Sequence, residues 1–133
     1  MSSKNSSRER VPGPSWQRIP NDFSECIQAC HECLQACEIC ATSCLAEADV
    51  AHLTRCIALD RSCADHCAAA EREMLRNSPF VGEVCLVCAM ACEACAEECS
   101  QHEMEHCQDC AAACRRCAGI CHQMSVTVGV GRP

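Results

Sequence analysis

Cysteines recur along this chain in steps of three and four residues, and that spacing narrows the fold more than any other feature. Alternating steps of three and four keep side chains on one stripe of a helix, as at the a and d positions of a heptad. A half-buried strand would need steps of two, and no two cysteines are so spaced. Four stripes follow one another. The first is Cys26, Cys30, Cys33, Cys37, Cys40 and Cys44, and the second, sparser, is Cys56, Cys63 and Cys67. The third is Cys85, Cys88, Cys92, Cys95 and Cys99, and the fourth is Cys107, Cys110, Cys114, Cys117 and Cys121. Between them sit Ala, Glu, Gln and Leu, all good helix formers.

Phase marks where the helices stop. An unbroken helix through Cys44 would put the next stripe residues at 51, 54 and 58, yet the cysteine is at 56. Continuing from Cys99 predicts 106, and the cysteine is at 107. These slips predict chain reversals near 46–51 and 100–105. Asn77-Ser78-Pro79 predicts the third, as an N-cap followed by proline at the first helical position. Asn21 or Asp22 is placed to cap the first helix. Helices of roughly 20–26 residues with short connections favour an all-α fold, an antiparallel up-down-up-down four-helix bundle. The bundle is expected over residues 21–125. A flexible arm rich in Ser, Arg and Pro precedes it at 1–20, with Trp16 and Ile19 able to dock on the body, and a tail follows at 126–133.

Each helix turns its stripe inward, because cysteine behaves as a small hydrophobe while Glu, Arg and Gln occupy the other faces. The product is a tube lined with sulfur. Packing alone does not account for it, since Leu, Ile and Val bury more apolar area per residue. Nineteen uses of a smaller, oxidisable residue cost stability unless the sulfur has a chemical role.

Composition removes several alternatives. The formal net charge of −7, with one Trp, two Phe and no Tyr, argues against a nucleic-acid surface of basic groove and stacking aromatics. The first ten residues have no apolar run behind their charges, and no stretch approaches the roughly 20 apolar residues of a membrane span. A cytoplasmic protein with no membrane partner is therefore expected. Disulfide frameworks are rare in that reducing compartment, and an odd number of cysteines cannot pair fully within a monomer.

Thiolates select Cu(I), zinc and iron–sulfur clusters. The recurring Cys-x-x-x-Cys unit brings Cβ atoms to roughly 5–6 Å on one face, so that two sulfurs can lean toward one ion between them. Charge separates copper from zinc. One Cu(I) per thiolate leaves the core neutral, whereas separate four-cysteine zinc sites each keep two excess negative charges. A zinc or cadmium thiolate buffer stays open as the second reading. An iron–sulfur electron carrier is weaker again, because the ferredoxin run of cysteines in a loop followed by proline is absent. No nucleophilic triad, phosphate loop or acid pair suggests an enzyme.

The two ends of the tube differ. Phe23, Met74, Leu75, Phe80, Val81, Val84 and Met124 gather at one end as an expected apolar plug, where Met74 and Met124 are expected to fill core, with thioether ligation of metal as the alternative. At the other end His52, His102, Met104 and His106 lie near Cys44, Cys56, Cys99 and Cys107. Imidazole and thioether both bind Cu(I), so this end is the expected entrance, with His102, Met104 and His106 as candidate ligands. The alternative is that they are solvated loop residues. Asp60 falls on the inward stripe of the second helix, as an oxygen ligand or a hydrogen-bond partner of a thiol near the mouth. His31, His66, His122 and Met90 fall off the stripes.

The Cys-x-x-x-Cys pairs and the four stripes from Cys26 to Cys121 resemble the bacterial copper storage proteins, four-helix bundles whose cores are filled with cysteines. With no leader expected from the first ten residues, the sequence is similar to their cytosolic branch. The resemblance implies storage of multiple Cu(I) ions at close to one per cysteine, an entrance at one end, and a homotetramer of bundles. A protein or small thiol that delivers the copper is the implied partner.

Overall fold

The computed structural model describes residues 13–131; residues 1–12, most of the expected arm, lie outside them. Four helices carry the four stripes: α1 (Ser24–Leu45), α2 (Thr54–Leu75), α3 (Val81–Cys99) and α4 (Glu105–Val128). Short 3-10 turns span Ser15–Gln17 and Val50–Leu53, and no strand occurs among the described residues. Each helix packs on its chain neighbours, and α1 closes the square against α4. None of the described helices is long and apolar enough to cross a membrane.

All nineteen cysteines are fully buried and none is in a disulfide. Beside the stripes lie buried alanines, Ala29, Ala64, Ala70, Ala89, Ala96, Ala111 and Ala118 among them. Small side chains there let neighbouring backbones approach, so sulfurs from opposite corners of the square meet across its axis. Cys33 of α1 is 3.9 Å from Cys92 of α3, and Cys63 of α2 is 3.9 Å from Cys114 of α4. Larger apolar groups close one end, where Phe23, Met74 and Val81 are buried and Val84 and Met124 half-buried. Leu75 and Phe80, expected in that plug, are exposed on the rim instead.

The reversals fall where phase placed them, but the caps differ from expectation. Asn77 does not begin α3; it ends α2. Its φ of 50° is left-handed, Ser78 N–H donates to the Glu73 carbonyl at 3.0 Å, and Asn77 N–H donates to Met74 at 3.0 Å. That pairing is a Schellman closure, which Asn tolerates better than a residue with an apolar β-carbon. Ser78 Oγ accepts the Phe80 N–H at 2.9 Å, and α3 starts only at Val81, two residues beyond Pro79. Neither Asn21 nor Asp22 caps α1. Both have positive φ and turn the chain, Phe23 is the flanking residue, and Asn21 Nδ2 donates to Asn77 Oδ1 at 2.7 Å. Ile19 packs against the core, whereas Trp16 stays exposed. α4 runs to Val128, three residues past the expected limit of the bundle.

Candidate metal centre

The stripes place sulfur on sulfur. Along single helices, Cys40–Cys44, Cys88–Cys92, Cys95–Cys99, Cys110–Cys114 and Cys117–Cys121 have Sγ atoms 3.8–4.0 Å apart. Between helices the separations are similar, from 3.4 Å for Cys56–Cys99 to 4.0 Å for Cys37–Cys95. A disulfide requires about 2.05 Å, so these are neighbours and not bonds. An ion at about 2.3 Å from each of two such sulfurs fits between them.

Several sets of four have every sulfur within 4.8 Å of the others. They include Cys30, Cys88, Cys117 and Cys121; Cys33, Cys67, Cys92 and Cys117; Cys33, Cys37, Cys63 and Cys114; and Cys37, Cys95, Cys110 and Cys114. These sets share corners. Cys117 joins the first to the second, Cys33 the second to the third, and Cys37 with Cys114 the third to the fourth. A further set, Cys40, Cys44, Cys56 and Cys107, lies at the mouth. Isolated tetrahedral ions would each need four ligands of their own, whereas bridging thiolates serve a continuous array. Cys26 joins the closed end through Cys121, 3.7 Å away. Cys85 is buried in the same core.

Asp60 interrupts the sulfur of α2 and has no exposed surface. Its Oδ1 accepts thiol hydrogens from Cys95 at 3.2 Å and from Cys99 and Cys110 at 3.3 Å, while Oδ2 faces Cys56 at 3.9 Å. Burial pushes its pKa up to about 10, reinforced by charge on Cys110 and Cys95. Burial likewise pushes Cys44 up to about 11, with charge on Cys56 adding to it, and raises Cys107. Burial thus holds Cys44, Cys107 and Asp60 protonated near neutrality, whereas hydrogen bonds from Cys40 and Cys99 push Cys56 down to about 3.

The histidines at the mouth separate into three situations. His106 reaches the sulfur, with Nδ1 3.4 Å from Cys40 Sγ and 3.6 Å from Cys107 Sγ. Its Nε2 donates to Glu47 Oε2 at 2.9 Å. His102 turns to Glu98, Nε2 to Oε2 at 2.9 Å, and no hydrogen bond joins it to a thiol among the described residues. His52 is exposed in the turn between α1 and α2 and bound to Asp49 at 2.6 Å, with no thiol in hydrogen-bond range among the described residues. Met104 is half-buried against the core and precedes α4, its carbonyl accepting the Cys107 and Gln108 N–H groups at 3.0 Å. His31, exposed and paired with Glu71, and Met90, exposed on α3, lie off the stripes as expected. The cysteine pattern singles out neither Glu47 nor Glu98. Glu98, in the last turn of α3, stands only four residues before His102 in the turn that follows, whereas Glu47 meets His106 across a separation of 59 residues.

The copper storage protein family model matches residues 20–126, which span all four stripes. The chain belongs to that family. A cysteine-rich protein of Bacillus subtilis, YhjQ, is 51% identical over 87 residues, 65% of this chain and 81% of its own length. Among solved structures, the Cu(I)-bound copper storage protein BsCsp3 of Bacillus subtilis aligns with a TM-score of 0.75 at 50% identity. It covers 77% of this family member and 97% of its own chain. A cytosolic copper storage protein from Streptomyces lividans carrying five coppers gives a TM-score of 0.77 at 40% identity, covering 82% of this chain and 94% of its own.

Proposed function

We propose that this member of the copper storage family holds multiple Cu(I) ions in the cytosol on the thiolates of its nineteen core cysteines. The observation that carries the reading is the sharing of corners between successive four-sulfur sets. Each thiolate then bridges ions instead of belonging to one, and one Cu(I) per thiolate neutralises a core that would otherwise bury uncompensated charge. Asp60 supplies oxygen among the sulfurs next to the mouth, and His106 supplies nitrogen at the mouth itself. His102 and Met104 line the same end as weaker candidates. The bundle of residues 21–125 stores metal without turnover, so no catalytic residue is assigned. A homotetramer, implied by the family resemblance, would draw on exposed Ile39, Val87 and Met90 for contact surface. A copper-delivering protein or small thiol would load it.

An anaerobic Cu(I) titration of the reduced protein against a competing chelator tests the reading. Uptake is expected to continue until ions approach cysteines in number. Saturation at four or five ions, with zinc competing effectively, would replace copper storage by a zinc buffer built on isolated four-cysteine sites.

A further inference from the structure

The mouth carries two imidazole–carboxylate pairs that look alike and are built differently. His106 stands in the first turn of α4, half-buried, with one ring nitrogen toward sulfur and the other toward Glu47. A carboxylate only accepts hydrogen bonds, so the Glu47 contact places the ring proton on Nε2. In the neutral ring the Nδ1 lone pair is then directed at Cys40 and Cys107. Glu47 is itself fixed just beyond the end of α1, where its N–H donates to the Cys44 carbonyl at 3.1 Å. The other pair, His102 and Glu98, lacks this geometry: the second Glu98 oxygen is 3.4 Å from Arg55 Nε, and the ring has no thiol neighbour in hydrogen-bond range among the described residues.

We propose that Glu47 is a positioning residue for copper uptake, locking His106 in the Nε2–H tautomer so that Nδ1, Cys40 and Cys107 form a preformed nitrogen–sulfur seat at the mouth. The proposal rests on the reading of the cysteine tube as a Cu(I) store. Its physical basis is general: a metal-binding imidazole is oriented, and its ligating nitrogen chosen, by the acceptor that holds the opposite N–H. Glu47 does not touch the ion. It removes the ring flip and the tautomer change that an unheld His106 would undergo before each capture. Glu98 has no such part, which makes it a control that carries the same charge at the same end of the molecule.

The test uses the reduced full chain and its Glu47→Ala, Glu47→Gln and Glu98→Ala variants. Cu(I) is supplied anaerobically as its bicinchoninate complex and followed by stopped flow, and nitrogen NMR of the apoproteins reports the His106 tautomer. Glu47→Ala is expected to slow uptake about 10–100-fold and to mix the two tautomers, with the final capacity unchanged. Glu47→Gln, whose amide oxygen accepts the same N–H, is expected to keep the Nε2–H form and recover most of the rate. Glu98→Ala is expected to leave the His106 signals in place. A Glu47→Ala protein that retains the Nε2–H form, or that slows no more than Glu98→Ala, overturns the proposal. If the wild-type chain saturates at a few ions, the storage reading fails, and the apoprotein NMR still decides whether Glu47 sets the tautomer.

Discussion

Asp60 occupies a stripe position of α2 where the pattern would put a cysteine, and its cost falls on the metal-free protein. The folded state holds its proton up to about pH 10, while an unfolded carboxyl loses it at the ordinary value of 3.8. A raised acid stabilises fully below its unfolded value and loses that contribution as pH climbs toward the folded one. Reduced apoprotein is therefore expected to weaken between about pH 5 and about pH 7.5, a range in which the unfolded carboxyl is ionised and the folded one is not. Asp60→Asn should flatten that slope and, at the upper pH, gain about 1–3 kcal/mol in urea unfolding. An equal slope in both proteins would place the dependence elsewhere. The inward direction of Asp60 was legible by counting back from Cys63 and Cys67. Which sulfurs surround it was not, because that depends on how far α3 and α4 are rotated and shifted against α2, and no local pattern encodes this. His106 repeats the lesson: its nearness to the mouth was legible, but its bond to Glu47 is a product of tertiary placement.

At the scale of elements, the cysteine stripes were a ruler. Steps of three and four keep count of helical phase, so each lost register marked a reversal, and all four helices emerged with nearly correct limits. Caps carried no such count. A polar residue between two helices suits the end of one as well as the start of the next, and Asn77 closes α2 because its backbone turns left-handed there. The tail gave still less signal. Gly82 in the first turn of α3 faces Gly129 so closely that a β-carbon would stand 1.9 Å from the Gly129 carbonyl oxygen. Gly131 N–H then donates to Glu83 at 2.7 Å, tying the tail across the closed end. Gly82→Ala must therefore displace backbone, and a loss of about 1–3 kcal/mol is expected in the apoprotein, with faster proteolytic trimming of the tail. Gly119, in α4, has nothing within 4 Å of its would-be β-carbon. Gly119→Ala should instead gain about 0.5–1 kcal/mol, as for glycine removed from an open helix interior. Matching melting temperatures for the two variants would show that the tail does not bear on Gly82.

For the molecule as a whole, storage is an exchange of protons for metal. The described thiols are buried, and burial is the leading cause that raises Cys44 and Cys107, so an ion entering at the mouth must displace protons from them. Each Cu(I) that enters displaces thiol protons and leaves the thiolate charge compensated. Early ions, with two thiols each, should release about two protons per ion, and the average should fall toward one as bridging completes near saturation. Zinc placed in isolated four-cysteine sites would release about four per ion from the start and hold that figure. Loading the reduced protein anaerobically in a weakly buffered indicator solution separates the two schemes without any knowledge of affinity. A ratio that declines through the titration identifies shared thiolates. A constant ratio near four would mean that the corners joining Cys33, Cys37, Cys114 and Cys117 into successive sets are never used together, and that the continuous sulfur array is not the unit of storage.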